Sequence, residues 1–135
     1  MRIETSAPTR IDLAGGTIDI WPLYLFHPGA QTINAAISIR ARATVDRRHD
    51  ARIVIRSVDT GVTVEAADLD ALRDEPQLQL LTRLVRFFEV TGVILTTRSE
   101  SPSGAGLAGS SALNVAVCAA LSEWQRQHYP PEELL

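Results

Sequence analysis

The run "SPSGAGLAGSSAL", residues 101–113, constrains the fold of this chain more than any other stretch. "VILTTR", residues 93–98, lies just before it and has the β-branched composition of a short strand. After it, Leu113, Ala116, Val117, Ala120, Leu121 and Trp124 mark the apolar stripe of a helix, with Pro130 and Pro131 to end it. A strand, a loop of small residues and a helix N-terminus, in that order, suit the holding of phosphate. Missing Cβ atoms let backbone approach an anion, and unpaired N–H groups of the first turn point at it.

Other readings of the loop are weaker. Serines before a helix can serve only as caps, but three glycines in six positions after Pro102 exceed what a cap needs. Gly104, Gly106 and Gly109 also satisfy the dinucleotide pattern GxGxxG, which requires a following strand ending in an acid about twenty residues on. That place falls near Arg126, in the tail of the expected helix. Gly104 and Gly109 have the spacing of a P-loop, yet Ser110 stands where its lysine belongs, and the chain contains no lysine at all. A phosphate clamp here must use backbone N–H groups, hydroxyls and guanidinium.

Upstream, Ile37, Ile39, Ala41, Ala43 and Val45 alternate with polar residues, the period of a half-buried strand. "ARIVIRSV" and "GVTVEA", separated by Asp59-Thr60-Gly61, predict an antiparallel hairpin. Pro76 opens an amphipathic helix carrying Leu78, Leu81, Leu84, Val85 and Phe88, with Gly92 as its stop. A hydrophobic fraction of 45% in 135 residues supports one packed domain. The net charge of -3 offers no field for a nucleic acid partner. One cysteine, Cys118, excludes an intrachain disulfide and reads as packing. His27, His49 and His128 are too scattered for metal. With no signal-like N-terminus and no apolar run of membrane length, a cytoplasmic protein without a membrane partner is expected.

A second cluster, "APTRIDLAGGTIDIWPLY" over residues 7–24, gathers Arg10, Asp12, Asp19, Trp21 and Tyr24 about the Gly15-Gly16 turn. A short loop could present a guanidinium and a carboxylate together. Taken alone, the aromatic residues Trp21 and Tyr24 read as core.

With "TINAAISIRARATV" and then "SPSGAGLAGSSAL", this cluster resembles the first two signature regions of the GHMP kinases, the superfamily of galactokinase, homoserine kinase and mevalonate kinase. Its "LAGG" followed by "NAAI" is most similar to the branch of heptose-7-phosphate kinase and fucokinase. The resemblance implies an ATP-dependent phosphotransferase acting on a sugar or sugar phosphate, with Mg2+. The implied fold is α/β (α+β): residues 1–135 as the N-terminal ATP-binding domain, a ribosomal-protein-like two-layer fold with a left-handed βαβ crossover. Pro102, Gly104, Ala105, Gly106, Leu107, Ala108, Gly109, Ser110 and Ser111 fall on the loop that wraps the triphosphate, and Ser110 or Ser111 on a magnesium ligand. Arg10 falls beside the transferring phosphoryl group as a catalytic residue, while Asp19, with Tyr24, falls on the substrate side. Ile18 departs from the branch, where threonine is common.

The same resemblance puts the catalytic aspartate and a C-terminal domain past Leu135. The chain is therefore expected to be the front part of a larger fold, inactive by itself and prone to self-association through an uncovered face. A non-catalytic nucleotide- or sugar-binding regulator of the same fold is the alternative. An ATP-dependent decarboxylase also belongs to the superfamily, but the sugar-kinase form of the first motif argues against it.

Overall fold

The computed structural model describes residues 1–16, 18, 20–102 and 104–126. The first strand, β1 (Arg2–Ala14), pairs antiparallel with β2 (Ile33–Arg47). A one-turn helix, α1 (Leu23–Phe26), lies between them. β3 (Ile53–Ser57) and β4 (Thr63–Ala66) make the expected hairpin. A 3-10 turn, Pro76–Leu78, leads into α2 (Gln79–Phe87), followed by β5 (Val93–Ser99) and α3 (Gly109–Gln125).

β1 corrects the sequence reading, which put Arg10 and Asp12 on a loop: both stand on a strand of 13 residues. The alternation was there in Ile3, Thr5, Ala7, Thr9 and Ile11, interrupted to the eye by Pro8. Pro8 is tolerated because β1 is an edge strand, where a missing N–H need not break a ladder. Register shifts follow, between Pro8 and Arg10 and between Asp12 and Ala14, and re-aim the strand end. The helix ends differ as well. α2 stops at Phe87, with Glu89 left-handed, and α3 stops at Gln125, with Arg126 left-handed, so each ends before the glycine or proline expected to end it.

The sheet order is β1-β2-β5-β3-β4, with β3 and β5 parallel and every other pair antiparallel. Ala41, Ala43, Val45, Ile53, Ile55, Val93 and Leu95 turn one sheet face toward Leu81, Val85, Ala116, Val117, Ala120 and Leu121 of the helices, forming a single apolar core. The alanines of β2 leave room for α3 to lie close. The fold is thus two layers, helices on one face, and the other face carries Arg42, Arg56 and Arg98 to solvent. Gln125 Nε2 donates to the Phe88 carbonyl at 2.7 Å, tying the C-terminal turn of α3 to the end of α2.

This arrangement decides where the chemistry can be. β3 and β5 run side by side in the same direction, so the turn after β3 and the loop after β5 emerge together. β1 lies next to α3, so the end of β1 meets the same loop from the other side.

Candidate functional site

The glycine loop starts where β5 ends and is tied down at both flanks. Glu100 accepts the Arg40 N–H at 2.9 Å and the Arg42 guanidinium at 3.1 Å. Those donors, the Arg40 amide first, hold its carboxyl below the usual carboxylate range. On the far flank, the Arg10 N–H donates to the Leu107 carbonyl at 3.2 Å, so β1 and the loop share a backbone bond. Gly104 and Gly106 have φ of 75° and 71°, and a Cβ on either would meet no atom within 4 Å. These glycines answer a backbone requirement and leave open space above them.

α3 then begins without a side-chain cap. Ala108 takes the N-cap place in the left-handed region, φ 54°, at a cost of about 1 kcal/mol for a residue with a Cβ. Its carbonyl accepts the Ala112 N–H at 3.0 Å, the first helical bond. The N–H groups of Gly109, Ser110 and Ser111 precede that bond and have no helical acceptor. The Ser110 and Ser111 side chains are exposed and have no hydrogen-bond partner among the described residues.

Two clefts flank this helix start. The larger, about 330 Å³, runs along Gly104–Ser111 and is closed opposite by Asp59, Thr60, Ser99 and Ser101. The smaller, about 210 Å³, lies between β1 and α3, with Arg10, Ala108 and Ser111 in its wall. Ala108 and Ser111 border both. Arg10 pairs with Asp12, Nε to Oδ1 at 3.0 Å, and remains more than a third exposed. The double-glycine turn supports this strand end. A Cβ on Gly16 would strike the Asp12 side chain at 2.5 Å, and one on Gly15 the Gln31 carbonyl at 2.3 Å.

The structure therefore brings Arg10 and the loop residues together, while Tyr24 lines neither cleft. Asp19 lies outside the described residues. Trp21 and Tyr24 are not core: they are 72% and 48% exposed, in a segment that also shows Ile20, Leu25 and Phe26 to solvent. The short helix that carries Tyr24 and follows Trp21 has no buried residue. Asp59, Thr60, Ser99 and Ser101 were missed by the sequence reading. Asp59-Thr60 carried only a turn signal, and its nearness to the loop comes from the parallel pairing of β3 with β5.

No group of three or more metal-ligating carboxylates, histidines or cysteines occurs among the described residues. Hydroxyls are a different matter. Mg2+ keeps most of its shell as water and phosphate oxygen, so one free hydroxyl at Ser110 or Ser111 fits its needs.

A mixed five-stranded sheet, helices on one face and a glycine loop opening α3 form the fold of a GHMP-type kinase N-terminal domain. Residues 77–135 match the family of GHMP kinases N terminal domain. It is 36% identical over 128 residues to D-glycero-alpha-D-manno-heptose 7-phosphate kinase of Campylobacter jejuni, covering 90% of this chain and 38% of that protein. It is 27% identical over 146 residues to L-fucokinase/L-fucose-1-P guanylyltransferase of Bacteroides fragilis, covering 87% and 15%. Among solved structures, a D-glycero-D-manno-heptose 1-phosphate kinase from Bacteroides thetaiotaomicron superposes with a TM-score of 0.77 at 25% identity, covering 99% of this chain and 45% of that one. The chain thus spans less than half the length of each of these relatives.

Proposed function

We propose that this chain supplies the triphosphate-binding part of an ATP-dependent kinase that phosphorylates a hydroxyl of a sugar or sugar phosphate. The observation that carries the reading is the helix start of α3, whose free N–H groups and hydroxyls sit between two clefts, with Arg10 in the wall of one and the glycine loop along the other. The larger cleft takes ATP, with its phosphates along Gly104–Ser111. The smaller takes the acceptor, so that the γ-phosphoryl group lies at Ala108 and Ser111, where the clefts meet.

Phosphoryl transfer asks a protein mainly for position and charge compensation. Backbone N–H groups of Gly109, Ser110 and Ser111 hold phosphate oxygens, helped by the positive end of α3. The Arg10 guanidinium offsets charge on the transferring group, and its backbone bond to Leu107 keeps it in step with the loop. Asp12, paired with Arg10, keeps that guanidinium extended along β1. Asp19 aligns a sugar hydroxyl. Mg2+, when bound, neutralises phosphate charge, and Ser110 or Ser111 would hold it. A cytoplasmic site of action follows from the ATP requirement, and no helix among the described residues is long and apolar enough to cross a membrane.

The similarity to two heptose phosphate kinases and a fucokinase favours a sugar acceptor over the mevalonate class. The test is sugar-dependent ADP release in the longest natural form that carries this chain, with heptose 7-phosphate, heptose 1-phosphate and fucose as acceptors. Turnover with one of them is expected, and Asp19→Asn should raise its KM at least tenfold or abolish turnover. The 135 residues alone should release no more than trace ADP. ATP binding without turnover in the longest form, on every acceptor, would favour the regulator reading.

A further inference from the structure

The turn between β3 and β4 is fastened to the stem of the glycine loop through a chain of contacts. Ser57 closes the turn: its carbonyl accepts the Gly61 N–H and its own N–H donates to Val62, each at 3.0 Å. The next residue, Val58, donates its N–H to the Thr97 carbonyl of β5 at 2.9 Å, which brings the turn against that strand. Asp59 Oδ1 then accepts the Ser99 N–H at 3.1 Å. Ser99 Oγ donates to the Ser101 carbonyl at 3.2 Å and accepts the Ser101 N–H at 3.3 Å. Ser101 in turn packs on the helix start, since a Cβ on Gly109 would lie 3.3 Å from both its Cβ and its Oγ.

Each link holds the next, and the last is the first residue of α3. A loop with two left-handed glycines and an uncapped helix start has little stiffness of its own. Something must fix its stem for its N–H groups to converge on an anion before the anion arrives. Asp59 is suited to that, because a carboxylate accepts more strongly than a hydroxyl or carbonyl. Thr60, beside it, has its N–H engaged by Ser57 Oγ at 3.4 Å, which steadies the turn from within.

We infer that Asp59 is a positioning residue for the phosphate loop, acting through Ser99 and Ser101 on the start of α3 and making no contact with the nucleotide. The inference rests on the loop being a phosphate site. It separates from a nucleoside-binding role for Asp59, because a disordered loop loses affinity for any polyphosphate, with or without a base.

Calorimetric titration of the chain with ATP and with inorganic tripolyphosphate, in wild type, Asp59→Ala, Asp59→Asn and Ser99→Ala, tests it. Asp59→Ala should weaken both probes by the same factor, roughly tenfold, the scale of losing one charge-assisted hydrogen bond. Asp59→Asn keeps a neutral acceptor oxygen but loses the charge, and should fall between wild type and Asp59→Ala for both probes. Ser99→Ala keeps the Asp59 bond but cuts the link to Ser101, and should weaken both probes alike. Loss of ATP affinity alone in Asp59→Ala would make Asp59 a nucleoside contact and overturn the inference. So would unchanged affinities in Asp59→Ala or Ser99→Ala, or an Asp59→Asn variant as weak as Asp59→Ala. If Asp59→Ala does not fold, Ser99→Ala decides by the same criterion. A wild type that takes up neither probe would instead remove the phosphate site itself.

Discussion

Gly106 is the residue at which the phosphate reading is most exposed to test. Its φ of 71° disfavours any side chain, yet a Cβ there would touch nothing within 4 Å, so a larger residue meets no clash in the fold. Gly106→Val should cost about 1–2 kcal/mol of stability from the left-handed backbone and leave the protein folded. Its branches would stand in the open space where phosphates must approach, so ATP affinity should fall at least tenfold in a titration. A folded variant with wild-type affinity would move the site elsewhere. Cys118 lies at the other extreme: buried, with its thiol pushed up by desolvation and its Sγ 3.6 Å from Asn114 Oδ1. A thiol so placed is mostly protonated at neutral pH and shielded. Iodoacetamide should therefore label it only as fast as the protein unfolds, and rapid labelling under native conditions would contradict the packing described for α3.

At the scale of elements, the connection between β1 and β2 differs in kind from the rest of the fold. Ile20, Trp21, Leu25 and Phe26 within it, and Leu13 and Ile33 on the strand ends beside it, are all more than half exposed, and α1 buries none of its residues. So much apolar surface in one segment is uncommon on a monomer and favours association. The chain should therefore show a mass that rises with concentration in sedimentation, and the pair Trp21→Ser with Phe26→Ser should suppress the rise. A wild type that stays monomeric at high concentration would show that this segment is covered or harmless. The sequence announced these residues but not their exposure, because a Trp-Pro-Leu-Tyr stretch looks the same under a core as on a surface. β1 was hidden for another reason. Pro8 argues against a strand unless the strand is an edge, and edge position is a property of the sheet order. By contrast β2 and α3 were legible from their apolar periods, and the β3–β4 hairpin from the turn signal between its two strand-like runs.

For the molecule as a whole, local signals found the loop, while topology assembled the site around it. The glycines and serines of 104–111 declared themselves by composition, and Arg10 entered through its likeness to a signature region. That Arg10 donates its N–H to Leu107, and that Asp59 faces the loop from the opposite side, depends on β1 lying against α3 and on β3 running parallel to β5. Such neighbours lie 97 and 40 residues apart in sequence, as the Arg10–Leu107 and Asp59–Ser99 bonds show, and no window of sequence contains both. Under the proposed function, one continuous backbone surface, Gly104 through Ser111, receives the phosphates of ATP. Amide chemical shifts followed by NMR as ATP is added to the isotopically labelled chain test it most directly. Saturable shifts are expected to concentrate at Gly104–Ala112, with Arg10 and Ser99 moving at the flanks and tripolyphosphate reproducing the loop pattern. Saturable shifts that leave those amides still, or an absence of saturable change at millimolar ATP, a concentration at the weak end of specific binding, would contradict it.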